Sequence, residues 1–201
     1  MQLGHTSGRT PPSRGRLICA LGADEHAERL VRAARRLATV AGLHPLFVHV
    51  AEPWPGAVWQ ARSLLRHAGA HSAEMRVAVG DPSEAIIRCV REERASLVMV
   101  AARGFGPLKG ALLGSVSRTL MLTSPVPVMV LPPAAEPAFD RVPFDDAAGL
   151  EWTAVPELLV VPRPEPSGEL LEDELSIHVA NRGTIPVLVT PTSPDHGNRV
   201  A

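Results

Sequence analysis

The chain has 201 residues, 45% of them hydrophobic, a formal net charge of -1 and two cysteines, Cys19 and Cys89. That is enough apolar sequence for an ordinary buried core, and the length allows one domain or a domain plus a fragment. The near-neutral charge argues against a nucleic-acid partner, two lone cysteines make neither a disulfide framework nor a metal site, and no apolar run approaches the roughly 18 residues of a membrane span.

Residues 1–15 are polar and hold no apolar signal-peptide core, so they read as a disordered leader, with the cytoplasm as the expected compartment. "RLICAL" (16–21) is a short apolar run and reads as a buried strand. In the following helix Ala27, Leu30, Ala34, Leu37 and Ala41 repeat at helical spacing, with Asp24 as cap and Gly42 as stop. "PLFVHV" (45–50) is a second strand, 58–69 a shorter helix and "MRVAVG" (75–80) a third strand. "DPSEAIIRCVREE" opens a helix with Asp81 at the cap, Pro82 in the first turn and Glu84 three residues after the cap. "SLVMVA" (96–101) is strand four, "SVSRTLMLT" (115–123) a helix and "VPVMVL" (126–131) strand five. Apolar strands alternating with amphipathic helices predict a doubly wound α/β domain over 16–132, with a five-stranded parallel sheet covered on both faces. Such sheets bind ligands outside the carboxyl ends of their strands, where the strand order switches.

The loop after strand four is therefore the place to look. It runs through Gly104, Gly106 and Lys109 to Gly114-Ser115-Val116-Ser117. Glycines reach backbone angles closed to other residues and bring no side chain toward a ligand. The helix beginning at 115 has first-turn amides without internal partners, and with two hydroxyls and the helix dipole these form an anion site. Neither the Walker spacing nor the dinucleotide fingerprint is present. On the residues alone, a phosphate site and a tight turn before a serine-capped helix both remain open.

Gly104, nine residues, then Gly114-Ser115, a helix and "SPVPVMVLPP" resemble the nucleotide-binding loop of the universal stress protein family. Upstream, "GDPSEAIIRCVREERASLVMVA" and "LICAL…AERLVRAARRLA…FVHVAEP" are similar to other segments of that family, so the likeness covers about 17–132. The resemblance implies a site in which Gly104, Gly114, Ser115, Val116 and Ser117 hold phosphates and ribose, with Arg103 beside them. Ala20, Leu21, Gly22, Val50 and Ala101 would line the nucleoside pocket, and ATP with Mg is the implied cofactor. Two positions depart from the family pattern. Ala101 replaces the first glycine of the loop, and Gly22 stands where ATP-binding members carry an acidic residue; without that carboxylate, strand one is more similar to the related domain of potassium-sensing histidine kinases.

Residues 133–156 read as a linker. Residues 157–191 repeat the order strand, loop, helix, strand: 158–161 answers 97–100, and 185–191 answers 126–132. This reads as a degenerate βαβ half-repeat, followed by a flexible tail, 192–201. Glu172-Asp173-Glu174 stands where Leu113-Gly114-Ser115 stands in the first copy, so the second copy is structural and holds no phosphate. The resemblance implies a homodimer through the Val126–Leu131 strand, or an intramolecular pseudo-dimer in which Ile185–Thr190 pairs with it. Residues 1–132 carry 16 Lys+Arg against 9 Asp+Glu, and 133–201 carry 4 against 12. Drift explains this, or docking of the acidic part on the basic part.

His67 and His71 lack an evident third ligand and read as solvated residues at a helix end, His49 as a core or pocket residue, and Arg29, Arg32, Arg35 and Arg36 as a solvated helix face. No catalytic motif is evident. The expected function is a regulatory stress protein that binds ATP or a relative and has at most slow hydrolysis, with protein partners and no nucleic-acid or membrane partner. The alternatives are an interaction module of the same fold that binds no nucleotide, and an enzyme of the adenine-nucleotide α-hydrolase type.

Overall fold

Strands that are apolar on both faces need helices on each side, and the chain alternates the two kinds of element accordingly. The computed structural model describes residues 15–23, 27–70, 73–102, 114–132, 159–163 and 186–191. The elements are β1 (Arg16–Ala20), α1 (Ala27–Ala41), β2 (His44–Ala51), α2 (Ala57–His67), β3 (Glu74–Val79), α3 (Pro82–Glu92), β4 (Ala95–Ala101), α4 (Ser115–Thr123), β5 (Val128–Leu131), β6 (Leu159–Pro162) and β7 (Val187–Thr190). The leader, the linker, the 192–201 tail, Asp24 and the half-repeat between 164 and 185 lie outside the described residues.

Local rules account for several of these elements. On α1, Leu30, Ala34, Leu37 and Ala41 are buried along one stripe, and the helix stops at Gly42, whose φ of 64° suits glycine. Asp81 caps α3, its carboxylate accepting the Glu84 N–H at 2.9 Å, and Pro82 occupies the first turn, where a missing N–H costs nothing. Strand five begins at Val128 rather than at Val126. Val126 is instead held in a turn, donating its N–H to Ser124 Oγ at 3.2 Å while that hydroxyl donates back to the Val126 carbonyl at 2.8 Å.

The sheet has seven strands in the order β3-β2-β1-β4-β5-β7-β6. Strands β1 to β5 pair in parallel, so the first domain is a doubly wound α/β fold. β7 joins β5 antiparallel, and β6 pairs in parallel with β7. Alternate residues of β1, β2, β4, β5 and β7 feed two cores. Leu17, Cys19, Leu97, Met99, Met129 and Leu188 pack with α1 and Leu65 of α2. Ile18, Val98, Val100, Val128, Val130, Val187 and Val189 pack with Ile86 and Val90 of α3 and Leu120 and Met121 of α4. Among the described residues no helix is long and apolar enough to cross a membrane.

Candidate functional site

Successive strands are laid down on one side of β1 as far as β3, and then β4 is added on the other side. The chain therefore leaves β1 and β4 in opposite directions, and a gap opens where their carboxyl ends lie side by side. A cleft of about 410 Å³ occupies that gap. Its floor includes Ala20, Leu21 and Gly22 after β1, Val50 on β2 and Ala101 on β4, and one wall is the start of α4, from Gly114 to Ser117. Residues predicted from the sequence to form the site are thus gathered into one cavity. Arg103 and Gly104, with Lys109, lie outside the described residues.

The start of α4 faces the cleft without a capping side chain. Gly114 is the N-cap, and it has none to offer. Its φ of -65° and ψ of 154° are extended values that any residue adopts, so Gly114 serves here by its lack of a side chain and not by unusual backbone freedom. Among the described residues no side chain caps the first-turn amides, which lie at the positive end of the helix dipole. The two serines line the cleft with different exposure. Ser115 is exposed at the cleft. Ser117 is buried and donates its hydroxyl to the Ala101 carbonyl at 3.1 Å, tying α4 to the end of β4.

His49 positions the opposite wall. Its Nδ1 lies 2.8 Å from the Leu21 carbonyl, which can only accept, so Nδ1 carries the proton. The Leu21 N–H in turn donates to the Val48 carbonyl at 2.8 Å, so the first residue beyond β1 is pinned to β2 from both sides. Glu52, Trp54 and Gln60 also line the cleft, and sequence reasoning did not select them. Their positions just after β2 and on the first turns of α2 are the only signal that would have found them. Trp54 is half exposed there, in a chain with 3% aromatic residues.

A larger hollow, about 630 Å³, opens at the opposite ends of β1, β2 and β3. Its charged groups are already engaged: Arg16 pairs with Glu74 at 2.6 Å and Glu93 at 3.1 Å, and Arg76 extends the network to Glu92 at 2.6 Å and Glu93 at 3.3 Å. We assign no function to it. Burial pushes the Cys19 thiol well above its ordinary value, and burial raises Cys89 too, against the opposing effect of Arg76 at 3.6 Å. Neither is a thiolate nucleophile at neutral pH. His67 donates Nδ1–H to the Ser63 carbonyl at 2.7 Å, His71 lies outside the described residues, and among the described residues no three His, Cys, Asp or Glu side chains form a metal-binding group.

The arginines of α1 are not all solvated. Arg35 donates to the Gly69 carbonyl at 3.0 Å, just past the end of α2.

Comparison with known proteins gives one family. The model of the universal stress protein family matches residues 57–132. A universal stress protein of Thermus aquaticus is 26% identical over 132 residues, covering 57% of this chain and 96% of that protein. One from Mycobacterium tuberculosis strain H37Rv is 34% identical over 71 residues, 35% of this chain and about half, 49%, of that protein. The solved structure of the Archaeoglobus fulgidus universal stress protein in complex with dAMP is 22% identical, covering 59% of this chain and 98% of that one, with a TM-score of 0.46. Residues 57–132, from α2 to the end of β5, match the universal stress protein family, and the α/β domain as a whole is similar to its members.

Proposed function

We propose that the chain is a nucleotide-responsive regulatory protein that holds ATP or a related nucleotide in the cleft and passes its occupancy to protein partners, with at most slow hydrolysis. The observation that carries this reading is the uncapped first turn of α4 opening into the cleft beside the exposed Ser115 hydroxyl. Backbone amides at a helix start suit phosphate oxygens. The Val50 main chain, the Gln60 amide and the Trp54 indole supply hydrogen-bonding and stacking partners for a base. The two buried, unpaired thiols fit a reducing compartment such as the cytoplasm.

The second reading, an interaction module without a nucleotide, is favoured by Gly22 and Ala101: one removes a carboxylate from the cleft floor and the other adds a methyl group. Titration calorimetry with Mg-ATP separates the two. Saturable binding, weakened at least tenfold by Gly114→Ala and by Ser115→Ala, is expected. No binding at millimolar Mg-ATP would overturn the nucleotide reading and leave the module. Release of phosphate over hours from the bound protein measures any turnover.

A further inference from the structure

The outer edge of β5 would be an open ladder in a sheet of five strands, and open edges recruit other chains. In this structure it is filled. Val128 stands opposite Val189, Met129 opposite Leu188 and Val130 opposite Val187, in the antiparallel sense. Val187, Leu188 and Val189 are 0%, 0% and 1% exposed, so they complete both cores and do not merely lie along the rim. A second anchor is separate from the ladder. Arg163, directly after β6, donates Nε–H to the Met121 carbonyl at 3.0 Å and a terminal N–H to the Ser124 carbonyl, the last turn and cap of α4. A guanidinium placed at the negative end of a helix dipole is favourable as well as hydrogen-bonded. The same residue's backbone N–H donates to the Thr190 carbonyl at 2.8 Å, which joins the two anchors.

We infer that the β5 edge and the carboxyl end of α4 form one docking surface whose resident partner is the chain's own β6–β7 segment, seated where a second copy of the chain would otherwise add a strand. The segment is suited to that place on chemical grounds. Its inner strand, Val-Leu-Val, matches the apolar Val-Met-Val of β5 pair by pair. Its outer strand, β6, ends in Pro162, which has no N–H to offer a further strand, and Pro164 follows two residues on. The docked segment therefore both fills one edge and ends the sheet.

The test uses the full chain with paired cysteines, Met129→Cys with Leu188→Cys and, separately, Val128→Cys with Val189→Cys. Adjacent cross-strand pairs alternate between wide and narrow spacing, so one of the two pairs has the geometry a disulfide needs. After mild oxidation, mass spectrometry of the intact and digested protein locates the link, and light scattering gives the mass. A link within a single chain, at monomer mass, is expected. An intrachain link in a protein of dimer mass would also support the assignment and put self-association on another surface. Links between chains would overturn it, because a second copy would then hold the edge. So would failure of both pairs to link while the introduced thiols react with a thiol reagent under native conditions, because the segment would then be undocked.

Discussion

On the first turn of α4, Ser115 leaves its hydroxyl at the cleft while Ser117, two positions on, donates its O–H to the Ala101 carbonyl. The substitutions are expected to separate binding from stability. Ser115→Ala should weaken Mg-ATP binding about tenfold with the unfolding midpoint unchanged, since a hydrogen bond to a charged group contributes ~1.5–3 kcal/mol. Ser117→Ala should lower stability by about 1 kcal/mol in urea titration, as expected for a buried neutral hydrogen bond. Equal loss of affinity without loss of stability in Ser117→Ala would refute this division. Gly22 gives the converse test. Restoring a carboxylate with Gly22→Asp should tighten Mg-ATP binding several-fold in calorimetry, because a ribose hydroxyl donating to a carboxylate makes a charge-assisted bond; unchanged affinity would show that position 22 does not meet the ligand. The sequence shows two serines of equal standing. What distinguishes them is the ~100° turn per residue of the helix, which aims one at β4 and the other at the cleft. His49 was legible as a core or pocket residue for the opposite reason, because its place near the end of β2 is set by chain order alone.

Among the elements, caps written in neighbouring residues were legible and those supplied from afar were not. The Asp81-Pro82-Ser83-Glu84 cap is written within four residues, and the structure forms it. The arginines that hold helix ends come from far away: Arg35 reaches Gly69 across 34 positions, and Arg163 reaches Met121 across 42. No local pattern announces such partners. The two kinds of cap make different predictions. Asp81→Ala should cost about 1 kcal/mol, the usual loss for an N-cap, and leave the β5–β7 ladder protected from hydrogen exchange. Arg163→Ala removes a part-buried guanidinium with two carbonyl partners, a loss of ~1.5–3 kcal/mol. It should also speed exchange of the 187–190 amides several-fold relative to those of β1. Uniform acceleration across all strands would mean that Arg163 stabilises the whole fold and not the docking of β7 in particular.

At the scale of the whole molecule, the alternation of apolar strands with helices dictated the sheet and the switch point between β1 and β4, and with them the position of the cleft. The charge division was equally visible, but the acidic residues from Glu136 to Asp146 and from Glu165 to Glu174 lie outside the described residues, so its meaning stays with the sequence. The composition carries one more global consequence. The chain has no tyrosine, and Lys109 is its only lysine, so few groups besides Cys19 and Cys89 titrate between about pH 8.5 and 10.5. Both thiols are raised in the folded chain, above all by burial. Above the ordinary thiol value of about 9 the unfolded chain gives up these protons while the folded chain keeps them. The unfolded state then binds fewer protons, and stability falls as pH rises, with a limiting slope of about 1.4 kcal/mol per pH unit for each thiol that remains protonated. That stability is fully present below the thiol range and is lost on the alkaline side. Urea midpoints at pH 8 and pH 10 should therefore drop steeply in the natural chain. The drop should be much smaller in the Cys19→Ala/Cys89→Ala double variant, whatever that variant's own starting stability. Parallel slopes in the two proteins would mean that the thiols titrate normally in the fold and that the strand-centre position of Cys19 is less closed to water than its 0% exposure indicates.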